Sequence, residues 1–356
     1  MEDVGKDKSR LNKLRKLPSL LLAWYDRNKR DLPWRENTDP YRVLVSEVML
    51  QQTRVEAVRE KYERFIRELP TAEALAACSE ERLMKLWEGL GYYSRARNLQ
   101  RAAVGIVERG FPETAEELKK LPGVGEYTAG AVASIAFGAP EPAVDGNVVR
   151  VLSRLQGDAE LGESLRKRYS SELRQTYPAA RCGDYTQSLM ELGAVVCLPR
   201  SPGCGECPLA GLCETKSDRL PVRKGKPERK KAELTMLLFR DGEEVALCRR
   251  KEGVLSGMYG LLTEKGKFSE RQVSDFLTEK GISGTVADRK EHRHVFSHLE
   301  WEITAYLVIC RGSRAVLWAE FPELEFFPVR TVRQEISLAS AYRWCLGWID
   351  ETGNFL

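Results

Sequence analysis

Apolar side chains recur every three or four positions across Leu14, Leu17, Leu21, Leu22 and Tyr25, a spacing that predicts a helix over 11–28. Asp31-Leu32-Pro33-Trp34-Arg35 breaks the stripe. Asp39-Pro40 restarts it with a capping side chain and a proline suited to a first helical turn. Helical spacing then continues over 41–67, with polar Gln51-Gln52-Thr53 as a point of interruption. Shorter helices are predicted over 71–78, 80–88 and 94–109, divided by Pro70-Thr71 and Gly89-Leu90-Gly91. Two more flank Leu121-Pro122-Gly123-Val124-Gly125, and further helices follow over 148–155 and twice between 163 and 196. No strand alternation precedes residue 230, and no segment repeats another.

Beyond residue 230 the pattern changes. Short apolar runs over 234–239 and 244–249 flank Asp241-Gly242, a hairpin signal. A helix is predicted over 269–280, a strand over 300–311 and a helical tail over 330–349. The expected architecture is an all-α domain followed by a smaller α+β domain.

Composition adds little to this picture, whereas charge and cysteine placement add more. At 356 residues with 42% hydrophobic side chains, the chain is long enough for two cored domains. Its net charge of +4 selects no partner class. Basic residues are concentrated in the first thirty positions and in 216–231, KSDRLPVRKGKPERKK, which reads as a linker that would also attract nucleic acid. No apolar run reaches membrane-span length and the N-terminus is charged, so a cytoplasmic protein is expected, without a membrane partner. Four of the nine cysteines crowd into Cys197-x6-Cys204-x2-Cys207-x5-Cys213, a ligand loop and not a disulfide framework. All-thiolate ligation of this kind serves an iron–sulfur cubane; zinc is the alternative, although only one C-x2-C knuckle is present.

Three further features suggest chemistry. Gly123 and Gly125 leave backbone N–H groups bare at a helix start, which suits a phosphate. Glu47 lies in the apolar run Val43-Leu44-Val45-Ser46-Glu47-Val48-Met49-Leu50, where desolvation would raise its pKa and supply a general acid; an outward-facing helix carboxylate is the plainer reading. Asp145 in Asp145-Gly146-Asn147 is either a second carboxylate or an ordinary helix cap. A protonated acid beside an ionised partner is what glycosidic cleavage requires.

These motifs together resemble the endonuclease III superfamily of helix–hairpin–helix DNA glycosylases. The residues that carry the likeness are the LPGVG turn, Val144-Asp145-Gly146-Asn147-Val148 and the cysteine loop. Leu32-Pro33-Trp34-Arg35, Ser46-Glu47-Val48-Met49-Leu50-Gln51-Gln52-Thr53, Gly89-Leu90-Gly91-Tyr92-Tyr93 and Glu191-Leu192-Gly193-Ala194 are similar to the MutY family within it. The resemblance runs from about residue 15 to 220. It implies a six-helix barrel over 29–137, an iron–sulfur helical domain from 1–28 and 138–215, and a [4Fe-4S] cluster on Cys197, Cys204, Cys207 and Cys213. The implied partner is double-stranded DNA carrying adenine opposite 8-oxoguanine or guanine, bound by a monomer at the bacterial nucleoid. Catalysis would fall to Glu47 and Asp145, with Tyr127 and Asn147 positioning them. Arg30, Trp34, Arg35 and Glu191 would line an adenine pocket, and Gln52, Thr53, Leu90, Tyr92, Gly123 and Gly125 would meet DNA.

Tyr127 occupies the slot in which bifunctional members carry a lysine. A phenol forms no imine, so base excision without strand cleavage is expected. The C-terminal part, 232–356, resembles a MutT/Nudix-like domain more loosely. Phe296-Ser297-His298, within a loop holding all three histidines, would read 8-oxoguanine. The family's Trp-Glu-Phe-Pro segment is here Met258-Tyr259-Gly260-Leu261-Leu262, and the magnesium-binding acidic cluster of hydrolytic relatives is missing over 269–280, so recognition without hydrolysis is expected. Two other readings are a bifunctional glycosylase–lyase and a non-catalytic iron–sulfur DNA-binding protein.

Overall fold

A computed structural model describes residues 2–160, 162–221, 228–252, 254–345 and 347–348. The middle of the basic linker (222–227) and the end of the expected tail helix lie outside the described residues. The chain forms two compact units, Met1–Cys78 with Ser94–Gly225, and Ser79–Tyr93 with Lys226–Leu356.

The helices run in order α1 (Glu2–Leu14), α2 (Leu17–Asn28), α3 (Pro40–Leu50), α4 (Val55–Glu68), α5 (Ala72–Ala77), α6 (Glu80–Leu86), α7 (Ser94–Arg109), α8 (Ala115–Leu118), α9 (Glu126–Phe137), α10 (Gly146–Gln156), α11 (Glu163–Arg174) and α12 (Cys182–Val195). All but α6 belong to the first unit. The predicted helix over 11–28 is split at Arg15-Lys16, where Pro18 starts a new helix. Gln51-Gln52-Thr53 does interrupt the 41–67 stripe: Gln52 takes φ +57, and the chain turns before α4. Side-chain caps from Asp39, Thr71, Ser79 and Thr114 start α3, α5, α6 and α8.

One apolar core joins Leu14–Tyr25 to residues from Val144 to Leu209, so the two ends of this sequence region fold together. Helix α9 packs on both α3 and α12, and α12 also packs on α10. Small residues permit this approach. A Cβ on Gly130 would lie 2.2 Å from the Pro142 carbonyl oxygen, and one on Gly183 would lie 2.8 Å from Ile135 Cα.

The second unit is a mixed sheet of β1 (Lys230–Asp241), β2 (Glu244–Arg249), β3 (Tyr259–Gly260), β4 (Leu262–Lys265), β5 (Thr285–Val295), β6 (Leu299–Ile309) and β7 (Leu324–Pro328). Helices α13 (Glu270–Glu279), α14 (Arg314–Glu320) and α15 (Val329–Gln334) accompany it. The order is β3-β2-β1-β6-β5, with β4 on β1 and β7 on β2; among the described strands only β1 and β6 pair in parallel. The Asp241-Gly242 hairpin forms as expected, with Asp241 opposite Glu244 and Gly242 at φ +60. Strands β5 and β7 and helix α14 were not legible in the apolar pattern. Within the expected 330–349 helix, α15 runs to Gln334; Leu338 then bridges Tyr259, a 3-10 turn covers Ser340–Cys345, and residues 347–348 are again helical. The expected histidine loop is likewise corrected. His292 and His294 lie on β5, and only Phe296-Ser297-His298 forms the turn into β6.

Candidate active site

The packing of α9 between α3 and α12 brings side chains distant in sequence to one cavity of about 180 Å³. Arg30, Trp34, Arg35, Glu47, Thr53, Tyr127, Asp145, Asn147, Met190 and Glu191 all face it. Drug-sized ligands occupy pockets of roughly 300–1,000 Å³, so this cavity suits something nearer a single base.

Glu47, on α3, is buried, 6% exposed. Its Oε2 accepts the Tyr127 hydroxyl at 2.8 Å. Burial pushes its carboxyl up to about 7, with Asp145 adding to the rise and Tyr127 and Arg35 opposing it. Burial, then Glu47 itself, holds the Tyr127 hydroxyl far above its usual range, so this phenol stays a donor. Asp145 caps α10, accepting Val148 N–H at 2.7 Å and Asn147 Nδ2 at 2.8 Å. Burial raises its carboxyl above the usual range too, although these bonds favour the ionised form and limit the rise. Capping and carboxylate chemistry are therefore compatible at Asp145. Both plainer sequence readings fail to exclude a site: Glu47 points inward, and the cap faces the cavity.

Glu191 is 1% exposed and neutralised from two sides. It accepts Arg30 N and Nε, each at 2.9 Å, Arg30 Nη2 at 3.0 Å and Arg35 Nη2 at 2.8 Å. Burial alone would raise its carboxyl, yet these bonds bring it down to about 2. It thus holds both arginines against the cavity wall, while Trp34 packs edge-on to Tyr62 at 5.6 Å.

Sequence reasoning missed three bracing arginines. Buried Arg95 donates to the carbonyls of Val48 (2.7 Å), Met49 (3.0 Å) and Gln51 (2.7 Å) and to Thr53 Oγ1 (3.1 Å), fixing the end of α3 beyond Glu47. Arg150 donates to Asn147 Oδ1 at 2.8 Å and to the carbonyls of Gly193 and Cys197, each at 2.7 Å. Arg154 binds the Leu198 carbonyl at 2.7 Å and approaches Cys197 Sγ at 3.3 Å. An arginine inside an apolar helical stripe, such as Arg154 between Leu152 and Leu155, was the available signal.

Cys197, Cys204, Cys207 and Cys213 line one small cavity with Arg154 at its edge. Burial, then Cys197, Cys213 and Cys204, pushes the Cys207 thiol up to about 11. Four thiols near enough to disfavour one another's charge fit a cationic multi-iron core. Among the described residues no three His, Cys, Asp or Glu side chains converge as one metal ion would require. No helix among them is long and apolar enough to cross a membrane.

The remaining predicted contacts are dispersed. Gly123 takes φ +77, and its missing Cβ would lie 2.7 Å from Asn98 Cβ. Gly125 starts α9 with no side-chain cap over the first N–H groups. Gln52 (φ +57) and Tyr92 (φ +46) share a left-handed backbone, and both are exposed. Leu90 is 5% exposed, its side chain part of the core. In the second unit, Ser297 and His298 are exposed at the β5–β6 turn with Oγ and Nδ1 3.2 Å apart. Phe296 packs edge-on to His294 (4.6 Å) and Trp301 (4.8 Å).

Known proteins resemble this chain in sequence and fold. Residues 45–175 match the HhH-GPD superfamily of base excision DNA repair proteins, 197–213 the iron–sulfur binding domain of endonuclease III, and 234–339 a NUDIX domain. The 197–213 segment is thus an iron–sulfur loop that takes a [4Fe-4S] cluster. The first unit is similar to a thermostable thymine-DNA glycosylase (31% identity, TM-score 0.53, 58% of this chain and 97% of that one). It also resembles endonuclease III in a non-covalent DNA complex (27% identity, TM-score 0.50, 58% and 96%). Adenine DNA glycosylase of Rattus norvegicus is 47% identical over 58% of this chain and 44% of its own length. That of Arabidopsis thaliana is 34% identical over 84% and 58%. The chain thus spans well under two thirds of either relative's length. The Mycobacterium tuberculosis adenine DNA glycosylase is 40% identical over 60% of this chain and 71% of its own. Helical glycosylase core, iron–sulfur loop and Nudix domain in one polypeptide, with that identity, mean that the chain belongs to the adenine DNA glycosylase family.

Proposed function

We propose that this protein is a monofunctional glycosylase that excises adenine opposite 8-oxoguanine or guanine in duplex DNA, working as a monomer on nucleoid DNA in the cytoplasm. The observation that carries the reading is Tyr127 donating to Glu47 at 2.8 Å beside Asp145 in a buried, base-sized cavity. Adenine leaves readily only after a ring nitrogen is protonated, and Glu47, with its carboxyl near 7, holds a proton for that step at neutral pH. Departure leaves a cationic sugar, which ionised Asp145 stabilises; Glu47 then takes a proton from the incoming water. Among the described residues no lysine lines the cavity, and Tyr127 offers no amine for an imine, which supports release without strand cleavage.

Extrusion of the base costs a few kcal/mol. Backbone N–H groups near Gly123 and Gly125 would hold the strand meanwhile, with Gln52, Thr53 and Tyr92 against the duplex. Arg30, Trp34, Arg35 and Asn147 would shape the pocket. Ser297 and His298 would offer hydrogen bonds to 8-oxoguanine, with Phe296 beside them. The four loop cysteines would hold the cluster, which supplies a rigid cross-link when bound. The core shared by Leu14–Tyr25 and Val144–Leu209 supports an iron–sulfur subdomain of 1–28 with 138–215 beside a barrel of 29–137. Residues 216–231 would serve as the linker and 232–356 as the reading domain, with 79–93 built into it. Borohydride trapping tests the monofunctional reading: no covalent DNA adduct is expected, and an efficient adduct would overturn it.

A further inference from the structure

The segment between α5 and α7 is built into the C-terminal unit although it lies inside the helical half of the sequence. A hydrogen-bonded clamp secures it. Lys85 Nζ donates to the Ile336 carbonyl at 2.9 Å and lies 3.3 Å from Glu88 Oε2. Glu88 Oε1 accepts Leu338 N–H at 3.1 Å, and Ser337 Oγ donates to the Met84 carbonyl at 3.0 Å. The Lys85 and Glu88 side chains are only 10% and 13% exposed, a burial that charged groups tolerate only when paired. Leu338 in turn bridges Tyr259 on β3, so the clamp reaches the sheet.

Four residues beyond Glu88 stands Tyr92. The connecting turn is left-handed at Gly89 (φ +91) and Gly91 (φ +71), and so is Tyr92 itself (φ +46), a conformation that side-chain-bearing residues avoid. Fully buried Trp87 ties the turn down by donating Nε1–H to the Gly91 carbonyl at 3.1 Å. The Tyr92 side chain is nevertheless 49% exposed. An unfavourable backbone that carries a half-exposed ring persists only where its surroundings over-determine it, and such positions cluster at functional sites.

We propose that Lys85 and Glu88 are positioning residues for Tyr92: by gripping Ile336–Leu338 they make the C-terminal unit the support of the tyrosine that enters the duplex. The inference rests on the reading of Tyr92 as a duplex-entering residue. The test is a double-mutant cycle on the full chain, using single-turnover excision of adenine opposite 8-oxoguanine. Lys85→Met should slow excision about fivefold, the weight of one ordinary hydrogen bond. The same change in a Tyr92→Ser background should cost nothing more. Equal losses in both backgrounds would overturn the proposal, because the clamp would then act by another route. Tyr92→Ser excising at the wild-type rate would remove the reading on which it rests, and is recognisable from that single variant. If thermal unfolding shows that Lys85→Met does not fold, Glu88→Gln carries the same cycle. It loses the ion pair and keeps an acceptor for Leu338, with an expected loss of about two- to threefold.

Discussion

Burial among apolar side chains leaves the Glu47 carboxyl with a hydrogen bond from Tyr127, whereas Asp145 takes two short ones from Val148 and Asn147. That difference divides the labour between two neighbouring carboxyls, one holding a proton and one favouring charge. The acid's folded-state pKa is raised to about 7, so excision should slow as pH rises through about 7. It should slow again at low pH, as Asp145 takes up a proton; a single-turnover pH–rate profile checks both limbs. Glu47→Gln should cost about 10²–10⁴-fold in rate while duplex affinity holds. Concurrent loss of binding would mean a structural failure instead. Glu191 behaves oppositely, its carboxyl lowered to about 2. Its contribution to stability is present above about 4.5 and lost as pH falls toward 2. Glu191→Ala strands two arginines and should destabilise the first unit by about 3 kcal/mol in denaturant unfolding. Glu47 was legible because a carboxylate inside an apolar run is conspicuous. The Arg30–Glu191–Arg35 clamp was not legible as a clamp, since Glu191 stands more than 150 positions from both arginines and nothing local announces their pairing.

At the scale of elements, α10 connects the Asp145 cap to the cysteine loop. Asp145 starts it, and Arg150 and Arg154 project from it to the loop carbonyls. Close approach of α12 to this helix depends on Gly193, where a Cβ would lie 2.6 Å from Asn147 Cβ. Gly193→Ala should therefore displace the start of α10, costing about 1–3 kcal/mol in stability and slowing excision as well. Retained activity with lost stability would detach Asn147 from catalysis. Cys204→Ser should lower bound iron and the visible absorption of the cluster, and reduce the thermal stability of the first unit. Capped helices such as α3 and α5 were readable from the sequence because a cap and an apolar stripe agree. Strand β5, TVADRKEHRHV, was hidden because it is an edge strand with no buried side chain, so charge replaces the alternating apolar signal. Its two histidines read as loop for the same reason. In the tail, the α15 pattern gives no warning that Leu338 leaves the helix to pair with Tyr259.

For the molecule as a whole, the sequence motifs named most of the polar side chains that line the cavity, because hairpin turn and carboxylates each carry a local chemical constraint, but not Gln187 or the apolar Val55, Ile135 and Met190. What they also missed is long-range: the assignment of 79–93 to the C-terminal unit depends on hydrogen bonds across some 250 residues. Central to the proposed function is that the Glu47–Tyr127–Asp145 cavity excises adenine from a mispair. The most direct measurement is single-turnover release of free base from duplexes carrying adenine opposite 8-oxoguanine, guanine or thymine. Rapid adenine release is expected from the first, slower release from the second and almost none from the third, without strand cleavage. No adenine released opposite 8-oxoguanine by the iron-loaded protein would contradict the proposed function.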